Sequence, residues 1–268
     1  MAGRETQSSS LGRRIASLDT DLFETIASLT TDQDRRSLLA LHEACRPSYG
    51  TFEYLEIGSY HGGSLQALVR DPSCASIVSI DARPSSQPDA RGTDFLNLDN
   101  STERMLDRLR AIPGADVAKI TTLDASTQTL DPARVPARPA LCFIDGEHTD
   151  GAAYADARFC AATLADAGAI AFHDAQIVYG GIGRFIDELR ESGAEMHCYV
   201  LPDSLFVIEL GRPRLLESDA VRARLADSWR AYLWSLNFND GYRRAFTSRL
   251  ARALRRARIL RVEPGRHN

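Results

Sequence analysis

Five short apolar runs in this chain each stop on a carboxylate: Tyr54-Leu55-Glu56, Ile77 through Ile80 to Asp81, Ile120 through Leu123 to Asp124, Leu141 through Ile144 to Asp145, and Ala169 through Phe172 to His173-Asp174. An apolar run between turn residues reads as a buried strand of a parallel sheet. Ligands of open α/β sheets sit outside the carboxyl ends of the strands. The runs therefore predict one sheet edge lined with acids, with Asp145-Gly146-Glu147-His148 and His173-Asp174 on neighbouring strands. Two carboxylates with imidazoles beside them can hold a divalent cation. Oxygen ligands suit Mg²⁺, and a histidine ligand tilts the site toward Mn²⁺ or Fe²⁺. Each residue also has a plainer use: Asp145 as a helix cap, His173 as a hydrogen-bonded rim residue, His148 as a solvated loop residue.

A second constellation follows the first run. In Glu56-Ile57-Gly58-Ser59-Tyr60-His61-Gly62-Gly63-Ser64, Gly58 admits close backbone approach to a ligand, and Gly62 or Gly63 opens a helix. Tyr60 occupies the middle glycine position of a dinucleotide fingerprint, which weakens a pyrophosphate reading and with it an NAD-dependent oxidoreductase. Asp81 ends the second run about 25 residues after Glu56, where a carboxylate can accept both hydroxyls of a ribose.

The elements that must position these residues alternate. Strands are expected at 52–57, 76–80, 117–123, 140–144 and 168–172. Helices are expected at 62–70, from Ser101 to Pro113, at 151–165 and at 183–191. Pro202-Asp203 marks a hairpin between strands at 197–201 and 204–210. The fold class is α/β: a doubly wound, mostly parallel seven-stranded sheet with helical additions at both ends. Residues 1–18 are expected as a disordered tail and 19–50 as N-terminal helices, over 22–29 and 36–45 with a cap at Thr30-Thr31-Asp32. The ligand-binding domain spans 51–211, and 212–268 is a C-terminal helical extension.

The glycine turn, with its E-x-G-x-x-x-G spacing, resembles motif I of class I S-adenosylmethionine-dependent methyltransferases. The stretch Cys142 to His148, then Tyr154 and Asp156, then Ala167 to Asp174, is similar to the F-I-D-G-x-H and G-G-x-I-x-x-H-D signatures of one methyltransferase group, the macrocin and mycinamicin type sugar O-methyltransferases. The resemblance runs from about Glu53 to Glu209. It implies a Rossmann-like fold that binds S-adenosylmethionine through Glu56, Gly58, Ser59, Tyr60, Gly62, Ser64, Asp81 and Asp145. It implies Asp124 or Ser126 at the adenine, a Mg²⁺ or Mn²⁺ ion on Asp145, His173 and Asp174, and His148 as general base. His173 stands where the metal-dependent members carry an acid. The alternatives are a metal-independent methyltransferase and a non-catalytic cofactor-binding partner of a biosynthetic enzyme.

Composition bounds the partners. The 268 residues are 44% hydrophobic and 25% charged, with a net charge of -4 that exerts no general pull on nucleic acid. Five scattered cysteines without metal spacing point to a reducing compartment, and Cys142 and Cys160 read as buried small hydrophobes. No signal-peptide core or membrane-length apolar run is visible, so the cytoplasm is the expected location. The expected partner is a small-molecule acceptor, with homo-oligomerisation allowed. From Tyr242 to Val262 the chain is arginine-rich and free of acids, with Phe246, Leu250, Leu254 and Ala257 at helical spacing. Such a helix packs on its own domain or a twin subunit, or docks on anionic lipid. Trp229, Tyr232, Trp234 and Phe238 are expected in the core, at an acceptor wall or at a dimer contact.

Overall fold

In the computed structural model, which describes residues 10–250 apart from 93 and 248, the apolar runs become the middle of one sheet. Its strands are β1 (Phe52–Ile57), β2 (Cys74–Ile80), β5 (Ile120–Leu123), β6 (Leu141–Ile144), β7 (Gly168–Phe172), β8 (Met196–Val200) and β9 (Phe206–Leu210), in the order β5-β2-β1-β6-β7-β9-β8. A separate short pair, β3 (Ser86–Gln87) and β4 (Phe95–Leu96), is antiparallel. Pairings from β5 across to β7 are parallel, and β9 runs against both neighbours. The chain works outward from β1 through β2 to β5, then returns to the other side of β1 as β6. That reversal opens a crevice at the carboxyl ends of β1 and β6, where ligands of such sheets bind.

Register explains the acidic edge. Leu123, Ile80, Ile57, Ile144 and Phe172 form one cross-sheet row. The next residue on each strand, Asp124, Asp81, Gly58, Asp145 and His173, leaves the sheet at the same level. Four of the five extend the ladder by one more bond, such as Asp145 N–H to Ile57 O at 2.9 Å and His173 N–H to Ile144 O at 2.9 Å.

Alternation along the strands builds two cores. Tyr54, Leu141 and Phe143 face α1 (described over residues 10–16), α2 (Asp32–Tyr49), α3 (Thr102–Arg110) and α6 (Asp219–Leu225). Leu55, Cys142 and Ile170 face α4 (Asp150–Thr163) and α5 (Tyr179–Glu191), which bring Ala157, Cys160, Ile182 and Phe185. Cys142 and Cys160 are both fully buried there. The hairpin turns at Asp203, whose φ of 70° is the left-handed region asparagine and aspartate tolerate.

Three segments differ from the sequence expectation. Residues 10–18 are ordered: Leu11 and Ile15, one helical turn apart on α1, are 7% and 0% exposed in the first core. The polar, Ser-rich composition around them hides a two-residue apolar stripe. Residues 1–9 lie outside the described part. At 22–29 the structure has a single 3₁₀ turn, Thr20–Phe23, before α2 begins at the Thr31 cap. That cap is reciprocal: Asp34 N–H donates to Thr31 Oγ1 and Thr31 N–H to Asp34 Oδ2. At 62–70 two 3₁₀ turns, Ser64–Gln66 and Leu68–Arg70, replace an α-helix. The segment runs only from the positive-φ Gly62 to Asp71-Pro72, and 3₁₀ turns suit such short pieces.

Helix α7 (Trp229–Thr247) closes the described chain, and the arginine-rich stretch beyond residue 250 lies outside it. Trp229 and Tyr232 are exposed, Trp234 stacks on Phe238 at 5.2 Å, and only Phe238 of the four packs against the second core. None of the four lines the cavity at the sheet edge. No described helix is long and apolar enough to cross a membrane.

Candidate active site

The crevice at the strand tips is a cavity of about 310 Å³ bounded by the glycine turn and Asp81 on one side and by Asp145, His148, His173 and Asp174 on the other. Gly58, Ser59 and Tyr60 of the glycine turn line the cavity, and Gly58 has a second use. Gly58 has φ 87°, and a Cβ there would meet the Asp145 carbonyl oxygen at 2.1 Å. Its bareness serves the approach of strand tip to strand tip. Tyr60, at φ 44°, donates its N–H to Asp81 Oδ2 at 2.9 Å and its hydroxyl to Leu98 O at 2.9 Å. Asp81 Oδ1 accepts from Arg83 N–H at 2.7 Å, so the carboxylate is fixed while it lines the cavity. Ser59 lines the cavity as well and accepts from Ser79 Oγ at 2.7 Å. Gly62 packs over Met105 and Leu109 of α3.

Three expected cofactor contacts, Gly62, Glu56 and Asp124, do not reach the cavity wall. Glu56 stands one row inside the sheet, paired with Ser79 and Phe143. It is fully buried and accepts from Tyr54 Oη at 2.7 Å and from Ser64 Oγ at 2.5 Å. Burial first, then the charges of Asp145 and Asp81, push its carboxyl up to about 8 against those two hydrogen bonds. Ser64 borders the cavity but spends its hydroxyl on Glu56. Asp124 turns outward and accepts from Thr102 Oγ1 at 2.5 Å at the start of α3, with half its side chain exposed. Ser126 does line the cavity, beside Ala125 and Gln128. Asp156 from α4 lines it too. It is bonded by Thr127 Oγ1, and burial raises it to about 6.

Opposite them the acids and imidazoles interlock. His173 is buried, with Nδ1 3.0 Å from Asp145 Oδ1 and 3.5 Å from Asp174 Oδ2, and Nε2 3.4 Å from Asp34 Oδ2. Burial alone would strip its proton, but these carboxylates outweigh burial and hold the ring's pKa well above the ordinary histidine value. Asp174, at φ 50°, is held low by His173 and His148 against its own burial, and accepts from Gln176 Nε2 at 2.9 Å. His148 places Nε2 3.3 Å from Asp174 Oδ2 and Nδ1 2.9 Å from Asp89 Oδ2. Burial again opposes, and Asp89, Asp174 and Asp145 together raise its pKa.

The carboxylates of Asp145 and Asp174 suit a divalent cation, with His148 as the imidazole that completes a group of three possible ligands. Ligand atoms of Asp145, His148 and Asp174 all lie within 4.8 Å of one another. His173 stands behind this trio, its Nδ1 3.0 Å from Asp145 Oδ1, and the carboxylates around it favour its charged form. Three participants carried no sequence signal for the site. Asp34, Asp89 and Arg91 lie outside the apolar runs and motifs that the sequence singles out. Chain reversals far from the motifs bring them in.

Residues 55–175 match the family described as a methyltransferase domain. The solved O-methyltransferase NovP superposes with a TM-score of 0.53 at 14% identity, over 70% of this chain and 84% of that one. CalS11, a calicheamicin methyltransferase, gives 0.49 at 13% identity, over 76% and 93%. The O-methyltransferase TomG of Streptomyces achromogenes gives 0.47 at 14% identity, over 76% and 90%. At these identities the likeness is one of fold. No curated protein matches the chain in sequence. The matched stretch holds the glycine turn, Asp81 and the whole acid-imidazole cluster except Asp34, and it is this part of the chain that is similar to a methyltransferase domain.

Proposed function

We propose that the protein transfers a methyl group from S-adenosylmethionine to a hydroxyl oxygen of a small molecule, with His148 as the base. The observation that carries this reading is His148 Nε2, beside Asp174 on the same cavity that Asp81 and the glycine turn border. When bound, S-adenosylmethionine supplies an electrophilic methyl carbon on a sulfonium. Asp81 accepts the ribose hydroxyls, the 125–128 segment borders the adenine, and the nearby carboxylates complement the positive sulfur. The methyl carbon would be open to in-line attack by the acceptor oxygen, the C–S electron pair being left on sulfur, and the chain's own part would be to hold that oxygen in place. His148 takes the hydroxyl proton at Nε2. Holding oxygen against carbon in this way supplies roughly 7–11 kcal/mol of barrier reduction.

Asp145 and Asp174 suit a Mg²⁺ or Mn²⁺ ion, which when bound supplies Lewis acidity that favours the acceptor's alkoxide. A metal-independent variant is supported by His173, whose Nδ1 lies 3.0 Å from Asp145 Oδ1 and 3.5 Å from Asp174 Oδ2 and whose ring, when protonated, would set a positive charge at the strand tip. The resemblance to macrocin and mycinamicin type enzymes supports a sugar or secondary-metabolite hydroxyl as acceptor.

Titration calorimetry with S-adenosylmethionine tests the cofactor. Asp81→Ala is expected to weaken binding at least about tenfold, the worth of one net hydrogen bond to a charged group, and equal affinity would remove Asp81 from the site. On an accepted hydroxyl, His148→Ala is expected to lower turnover by about 10²–10⁴-fold. Turnover that survives chelation but not His148→Ala selects the metal-independent variant.

A further inference from the structure

His148 has two ring nitrogens, and only one faces the cavity. We propose that Asp89 is the positioning residue for His148: it accepts the Nδ1 proton and so leaves Nε2, beside Asp174 on the cavity side, as the nitrogen that exchanges a proton with the reacting oxygen. The inference rests on the reading of His148 as the base. Asp89 lies in the loop between β3 and β4, and its side chain is 1% exposed. Backbone pairing fixes it to the loop after β6. Asp89 forms a parallel bridge with His148, Ala90 N–H donates to His148 O at 2.8 Å, and Gln87 Nε2 donates to Gly146 O at 3.3 Å. Phe95 of β4 sets its ring 6.4 Å from the imidazole. Arg91 then locks the carboxylate, with Nε 2.8 Å from Oδ1 and 3.0 Å from Oδ2, while its N–H donates to Oδ1 at 2.8 Å.

A donor and an acceptor compete at Nδ1. The Arg91 Nη2 lies 3.2 Å away and would demand a lone pair there, whereas Asp89 Oδ2 at 2.9 Å demands a proton. The same Nη2 also donates to Asp89 Oδ2. The carboxylate contact is the shorter, and it pairs a ring N–H with a charged acceptor, the stronger kind of bond. An Nδ1–H bonded to a carboxylate leaves Nε2 as the atom that takes or gives up the working proton.

The test is proton-detected NMR of the full-length protein with ¹⁵N-labelled histidine, chelator-treated and without cofactor, His148 being assigned by its loss in His148→Gln. The wild type is expected to show a proton bonded to Nδ1, shifted downfield and protected from exchange. Asp89→Asn, which keeps shape, and Asp89→Ala are expected to lose that protected proton while the amide fingerprint of the fold is retained. On an accepted hydroxyl, Asp89→Asn is expected to lower kcat by about 10–100-fold, the usual cost of removing a group that orients a functional histidine, with the KM for S-adenosylmethionine unchanged. A bare Nδ1 in the wild type, which would make Arg91 the donor, overturns the proposal. So does an Nδ1 proton that persists unchanged in both variants. The spectra need neither cofactor nor acceptor, so their failure is separable from a failure of methyl transfer.

Discussion

Glu56 shows how much one residue of register decides. The sequence places an acid at the end of an apolar run and implies a cofactor ligand, but the strand continues through Ile57, so the rim position falls to Gly58. Glu56 becomes a buried strut between Tyr54 and Ser64. Its carboxyl keeps its proton to about 8, against 4.5 for an unburied one. Below the lower value native and unfolded chains are both protonated, and the contribution of Glu56 to stability is fully present. Between the two values only the native chain holds the proton, so stability falls as pH rises, and above the higher value the contribution is gone. Glu56→Gln, which cannot ionise, is therefore expected to flatten this decline and to gain on the wild type as pH rises from 4.5 to 8. Urea unfolding across that range reads it, and parallel curves would refute it. Asp124 was misread for a related reason. It does leave its strand in the rim row, but β5 is the edge strand and the Thr102 hydroxyl at the start of α3 draws the carboxylate outward. Run endings show which residues lie near the rim; they do not show which way each side chain turns.

At the scale of elements, the strands and the helices α3, α4 and α5 were legible because each carries a whole period of apolar residues. The crossover after β1 was not. Its residues bury a polar group, Gln66, where a helix pattern expects a stripe of hydrophobes. Gln66 is fully buried and makes four bonds: its Nε2 lies 2.9, 2.8 and 2.9 Å from the carbonyls of Phe23, Ile26 and Gly63, and its Oε1 accepts from Ile26 N–H at 2.8 Å. It clamps the 23–28 segment over the glycine turn, beside Ala27, Ser28 and Leu29 of the cavity wall. Gln66→Ala strands these buried backbone groups, at roughly 1–3 kcal/mol for each that stays dry. Amide hydrogen exchange is expected to speed up over residues 24–30 before it does so in the sheet, and unaltered protection there would show that the segment holds itself. Gly58→Ala attacks the neighbouring element differently. The left-handed backbone alone costs about 1–2 kcal/mol, and the added methyl group would drive the Asp145 carbonyl away. A lower melting temperature together with weaker S-adenosylmethionine binding is expected. Loss of stability with unchanged affinity would mean that the strand tips open without disturbing the site.

For the whole molecule, the acidic edge of the sheet is tied to a segment that composition marks as dispensable. Arg36 Nη1 donates to Leu18 O at 3.2 Å and Arg46 Nη1 to Gly12 O at 3.5 Å, so α2 grips residues 10–18 from two turns of its length. The first residues of α2 in turn enter the site, since Asp34 binds Ser204 through both N–H and Oγ and faces His173. Arg224 of α6 closes the other side onto Gln33 and Ser37. The N-terminal segment, α2 and the tip of β7 therefore form one chain of contacts ending at Asp145 and Asp174. Removal of residues 1–18 exposes the pocket left by Leu11 and Ile15, and two such side chains contribute on the order of 3–6 kcal/mol by burial. Ile15→Ala alone is expected to cost about 2–5 kcal/mol, because the site is closed on all sides and leaves a cavity. Thermal unfolding of the truncated chain beside Ile15→Ala decides the matter. Midpoints lowered in both, with the truncation worse, are expected. A truncated chain that melts with the full-length protein would return residues 10–18 to the status of a tail.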